Sequence, residues 1–94
     1  MSQGFEIKLA NNVDQTYAQQ LLEEILANMD AQSSFTINAS AVERIGTPGA
    51  QVLMAFHQYC REHNLKIKIE KPSQQFKSAF QDLGLDEYVQ EWGL

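Results

Sequence analysis

The chain is short of basic residues, cysteine, proline and long apolar runs, and each shortage closes off a class of function. Seven Lys and Arg stand against twelve Asp and Glu, giving a net charge of −5 over 94 residues. Nucleic-acid binding relies on cations that neutralise phosphates, so this balance argues against it. It argues equally against an anionic membrane surface. The single cysteine, Cys60, has no partner for an internal disulfide and no neighbours at metal-ligand spacing. Its place on an apolar helix stripe, with no evident basic environment to lower its pKa, fits a small core residue better than a nucleophile. No run approaches the ~20 apolar residues that span a bilayer, and the N-terminus has no charged segment followed by an apolar one. Neither membrane insertion nor a signal peptide is expected, and the reading is a cytoplasmic protein. The two histidines, His57 and His63, share one predicted helix without a third ligand in reach, so they are expected on the surface rather than in a metal site. Prolines are also few; the two, Pro48 and Pro72, fall at boundaries between elements. There is no linker, repeat or low-complexity tract. Residues 1–94 are read as one domain, large enough for one core but not for a core plus an elaborate active site.

Apolar residues make up 44% of the chain, as in a folded globule. Phe5-Glu6-Ile7-Lys8-Leu9 alternates strictly, as in a strand with one buried face. Asn11 and Asn12 are read as a turn. Asp14 then caps a helix from about Gln15 to Met29, with Tyr17, Ala18, Leu21, Leu22, Ile25, Leu26 and Met29 on one stripe. Phe35-Thr36-Ile37 is short and β-prone, which predicts a buried strand. A loop from Ala39 to Gly46 follows, and a second helix runs to Glu62 or His63, stopped by Asn64 in a left-handed conformation. Leu65 to Glu70 alternates again, and its lysines discourage edge pairing with another chain. Pro72 ends that strand. Ser73 caps a third helix with Phe76, Ala79, Phe80 and Leu83 on its buried stripe, and Gly84 closes it. Asp86 is placed as the cap of a last short turn. The order β-α-β-α-β-α predicts an α/β domain: a largely parallel, four-stranded sheet covered by helices. Its core should hold Phe5, Ile7, Leu9, Leu22, Ile25, Phe35, Ile37, Leu53, Phe56, Ile67, Ile69 and Phe80.

The most pointed polar group lies between the second strand and second helix. In Gly46-Thr47-Pro48-Gly49-Ala50, Thr47 is read as the helix N-cap and Pro48 as the first helical residue, where a missing N–H costs nothing. The small residues behind it leave the hydroxyl open to a partner at the positive end of the helix. Glu23 and Glu24 read as a solvated face. Gly46 and Gly49 lack the lysine and spacing of a phosphate-cradling loop. No constellation for catalysis, a cofactor or a metal is present, so no enzyme is expected.

The stretch Asn38-Ala39-Ser40-Ala41-Val42-Glu43-Arg44-Ile45-Gly46-Thr47-Pro48-Gly49-Ala50-Gln51-Val52-Leu53 resembles the signature of the STAS domain, the fold of bacterial anti-sigma factor antagonists. That pattern runs as Asp-hydrophobic-Ser, a spacer, then hydrophobic-Asp-Ser/Thr-Ser/Thr-Gly opening a helix. Val13-Asp14 resembles the Leu-Asp before the family's first helix. Pro72-Ser73, followed by Leu83-Gly84-Leu85, resembles the family's Pro-Ser stretch and closing Gly-Leu. The family's first aspartate is Asn38 here, its second is Gly46, and its pair of hydroxyl residues is Thr47 and Pro48. Little room remains for the short strand that members commonly carry before Phe5. The resemblance implies a non-catalytic module without cofactor or metal. Its partner would be a protein, an anti-sigma factor with serine-kinase character or a two-component regulator. Thr47 would be the phosphoacceptor, and Ser40, Glu43, Arg44, Gly46, Thr47, Pro48, Gly49 and Gln51 would form the contact surface. The alternative it leaves open is a constitutive scaffold or accessory subunit of a transporter or signalling complex, without a phosphorylation switch.

Overall fold

The structure, a computed structural model, describes residues 4–94; the expected lack of room before Phe5 falls largely outside the described residues. The elements in chain order are β1 (Gly4–Lys8), β2 (Asn12–Val13), α1 (Gln15–Asn28), β3 (Ser34–Asn38), β4 (Arg44–Ile45), α2 (Thr47–Glu62), β5 (Lys66–Glu70), α3 (Gln74–Asp82) and α4 (Asp86–Glu91). The α/β class and the parallel sheet are as the sequence implied. The strands divide differently from a single four-stranded sheet. β1, β3 and β5 form a three-stranded parallel sheet in that order, and β2 pairs with β4 in a separate two-residue parallel ladder.

Register follows the alternation. Phe5, Phe35 and Ile67 form one rung across the sheet, and Ile7, Ile37 and Ile69 the next. These six face the helices. Glu6 and Lys8 on β1 and Lys66 and Lys68 on β5 point the other way and are exposed. The helical cover therefore lies on one face and the opposite face meets water, which is uncommon for a parallel sheet. Phe35 packs edge-on against Phe56 of α2 at 4.9 Å, and Phe76 and Phe80 bring α3 into the same core.

Most of the expected core is buried or packed against it; Leu22 is not. It is 37% exposed, because α1 buries only the narrow line Ala18, Leu21 and Ile25. Leu26 and Leu83 are exposed as well. Asn64 adopts φ 58°, the left-handed stop expected of it, and Gly84 closes α3 at φ 72°. Asp86 does not cap α4: the N-cap is Leu85, and Asp86 and Glu87 lie inside the first turn, where negative charge suits the helix dipole.

Candidate functional site

The loop between β3 and α2 is held by hydrogen bonds from three sides. Asn38 Oδ1 accepts from the Ser40 amide at 3.0 Å and from the Ser40 hydroxyl at 2.7 Å, folding the chain sharply after β3. Asn38 Nδ2 donates to Glu6 on β1 at 3.2 Å. Ser73 does double duty: its hydroxyl donates to the Val42 carbonyl at 2.6 Å and accepts from the Phe76 amide at 3.1 Å. The amides of Glu43 and Arg44 both donate to the Asn11 carbonyl, and the Gly46 amide donates to the Val13 carbonyl. Nothing in the local sequence of residues 39–46 announces the β2–β4 ladder, because a two-residue strand has no periodicity to read.

That ladder moves the start of α2. The N-cap is Gly46, in extended conformation with φ −91° and ψ 175°, and no side chain caps the helix. Thr47 is the first helical residue rather than the cap, and Pro48 the second. The physical reason is the hydrogen bond from the Gly46 amide to the Val13 carbonyl, which holds Gly46 in line with β4 while its own carbonyl already accepts from Ala50 at 3.1 Å. The Ala50 N–H is thus spent inside the helix. Among the described residues Thr47 is exposed and its hydroxyl makes no hydrogen bond.

Of the other expected surface residues, Ser40, Glu43, Arg44, Gly46, Pro48 and Gln51 are exposed around Thr47. Gly49 is not: it is buried. A Cβ there would lie 2.5 Å from Val13 Cγ1 and 3.1 Å from the Val13 carbonyl oxygen. Its role is to let α2 close onto β2, and a partner cannot reach it. Two shallow grooves flank Thr47. One runs between β4 and α3 and includes Gly46 in its wall. The other runs between α1 and α2 and is lined by Pro48, Gln51, Leu22 and Val52.

One functional-looking group was misplaced by sequence reasoning. His57 is 7% exposed, not a surface residue. The Trp92 indole donates to its Nδ1 at 3.1 Å, and its Nε2 lies 2.9 Å from Glu91. An indole N–H can only donate, so Nδ1 accepts and the proton of the neutral ring sits on Nε2, shared with Glu91. Arg61 reaches the same carboxylate at 3.6 Å. The alternation of polar and apolar residues along α2 gives no hint of this, since the partners lie on α4. His63 is exposed, as expected, and stacks on Tyr59. Cys60 is a buried core residue whose thiol is pushed up to about 11 by burial. Among the described residues no His, Cys, Asp and Glu gather as a metal site would require, and no helix is long and apolar enough to cross a membrane.

Residues 2–91 match a family model described as "Mlab, STAS domain". No curated protein matches the chain in sequence. Among solved structures, the anti-sigma factor antagonist SpoIIAA in its unphosphorylated form is similar with a TM-score of 0.76. That likeness covers 94% of this chain and 78% of the other, at 14% sequence identity, and is a likeness of fold.

Proposed function

The chain belongs to the STAS domain family, and on that premise we propose that it is a non-catalytic regulatory module of the anti-sigma factor antagonist kind. It docks on a partner protein, in the cytoplasm, through the loop and helix N-terminus around Thr47, and phosphorylation of Thr47 switches that docking. The partner is an anti-sigma factor with serine-kinase character or a two-component regulator.

The observation that carries this reading is the exposed, unengaged Thr47 hydroxyl on a rigidly held turn. A phosphate there would add about −1.5 to −2 charges at the positive end of α2. Ala50 cannot donate to it, since its N–H is bonded to Gly46, and Pro48 has no N–H, so of the first-turn amides after Thr47 only that of the buried Gly49 is left as a donor. Charge at the contact surface, rather than a change of shape, would therefore carry the signal. A constitutive scaffold or accessory subunit of a transporter or signalling complex is the second reading. It is favoured by Gly46 and Pro48, which replace the carboxylate and the second hydroxyl of the family pattern.

Titration calorimetry with the protein encoded beside this chain's gene separates the two. Phosphorylated protein, or Thr47→Glu with half the charge, is expected to shift affinity about tenfold or more relative to wild type, some 1.4 kcal/mol. Thr47→Ala should bind and fail to respond to the kinase. Equal affinities across all four proteins would leave the scaffold.

A further inference from the structure

We propose that the groove between β4 and α3 receives a partner segment carrying a lysine or arginine beside an apolar side chain. The proposal rests on the docking reading above and names the chemistry of what docks.

Ile45 and Ala79, both half-buried, give the groove an apolar floor, and Asp14, Glu43, Asp82 and Arg44 stand around it. Three carboxylates against one guanidinium leave the rim at −2. The ion pairs among the described residues lie elsewhere, at Glu91 and at Lys68 with Glu70. Glu43, Arg44 and Asp82 make no side-chain hydrogen bond or ion pair, and Asp14 accepts one bond, from the Tyr17 amide. The rim charges are thus available. A segment that seats an apolar side chain on Ile45 and Ala79 while presenting a cation to the rim satisfies both features. An acidic segment would meet like charge at the rim and bind more weakly.

The groove is also pre-formed. The Asn11 carbonyl fixes the amides of Glu43 and Arg44, the Val13 carbonyl fixes that of Gly46, and Ser73 holds Val42. Little loop ordering is left to oppose binding. At about 510 Å³ the groove has room for a few side chains. The groove on the other side of Thr47 is lined by amides and apolar groups without a formal charge, so charge selection among partners falls to the β4–α3 groove. This sets a sign for the switch: phosphate at Thr47 adds negative charge beside an already negative rim and should tighten the docking of a basic segment.

The test uses three synthetic helical peptides with one apolar face and Lys, Gln or Glu at the flanking positions, titrated into the nitrogen-15-labelled full chain. The Lys peptide should shift the amides of Ile45, Gly46, Ser78 and Ala79 and bind about tenfold more tightly than the Gln or Glu peptide, with affinity that falls as salt rises. Glu43→Gln with Asp82→Asn should weaken it about fivefold or more, whereas Glu23→Gln with Glu24→Gln on α1 should not. The amide spectrum of each variant reports that it is folded. Equal binding of the Lys and Glu peptides, or shifts centred on Glu23 and Glu24, would overturn the proposal. Shifts confined to the groove beside Pro48 and Gln51, without charge preference, would overturn it while leaving docking around Thr47 intact. Tighter neighbour-protein binding by the Glu43 and Asp82 double variant would do the same.

Discussion

At Gly49 the methyl group of an alanine would sit 2.5 Å from Val13 Cγ1 and 3.1 Å from the backbone oxygen of Val13. The side-chain contact can give a little; the backbone oxygen belongs to the ladder that positions Gly46. Gly49→Ala should therefore cost about 1–3 kcal/mol, as overpacking does, measured by urea denaturation. Its effect on partner binding should follow only from the displaced loop. Three residues earlier the outcome reverses. Gly46 has an ordinary φ of −91°, and a Cβ there meets only Pro48 Cδ at 3.6 Å. Gly46→Asp should be tolerated and gain a few tenths of a kcal/mol, since aspartate caps a helix slightly better than glycine. It also restores the carboxylate of the family pattern beside Thr47. Thr47→Ala should change stability by less than about 0.5 kcal/mol, because an exposed first-turn hydroxyl without a partner contributes little. A loss above 1 kcal/mol in the same denaturation series would mean that Thr47 caps after all.

The helices differ in how they begin, and the difference shows where the fold is locally encoded. α1 is capped by Asp14, whose carboxylate accepts from the Tyr17 amide at 2.9 Å. α3 is capped by Ser73, which also ties down the loop through Val42. Asp14→Ala should cost about 0.5–2 kcal/mol, the usual loss of a cap. Ser73→Ala should cost more, about 1–3 kcal/mol, because the partly buried Val42 carbonyl loses its donor as well. Hydrogen exchange distinguishes them. Ser73→Ala should speed exchange of the Glu43 and Arg44 amides, which the loop holds against Asn11, whereas Asp14→Ala should act mainly on the first turn of α1. Equal protection at Glu43 and Arg44 in both variants would show that Ser73 does not brace the site.

Across the whole molecule, α4 is joined to α2 by polar contacts as well as packing. None of its own residues is fully buried, and Trp92, just beyond it, contacts Phe80, Tyr88 and His57. Trp92→Phe keeps much of that packing and removes the N–H that satisfies His57 Nδ1. It should cost about 1–3 kcal/mol by leaving a buried acceptor unpaired, measured by thermal unfolding, and free His57 to exchange tautomers in nitrogen-15 spectra. The buried thiol gives a prediction in alkali. Cys60 holds its proton to about 11 when folded, against 9.0 for an ordinary thiol. The folded state binds the proton more tightly, so this contribution is intact below about pH 9 and is lost as pH rises towards 11. Burial raises Tyr17 as well, which acts in the same direction. Urea midpoints should fall over that interval, and less steeply in Cys60→Ala.

The alternation of Phe5 to Leu9 and of Leu65 to Glu70, the spacing of Ala18, Leu21 and Ile25, and the caps Asp14 and Ser73 are all signals spanning a few residues. A few residues suffice to read them, and they determined the α/β class, the parallel order and most of the core. The motif from Asn38 to Leu53 likewise located the exposed turn at Thr47. Tertiary structure decided what those residues do there. The start of α2 at Gly46 follows from the pairing of Asn12–Val13 with Arg44–Ile45, which no local pattern records. Gly49 is buried because β2 arrives beneath it. His57 is buried because Glu91 and Trp92, more than thirty residues later, close over it. A helix face shows which side chains are apolar; whether a glycine or a histidine on that face meets water depends on which distant segment packs there.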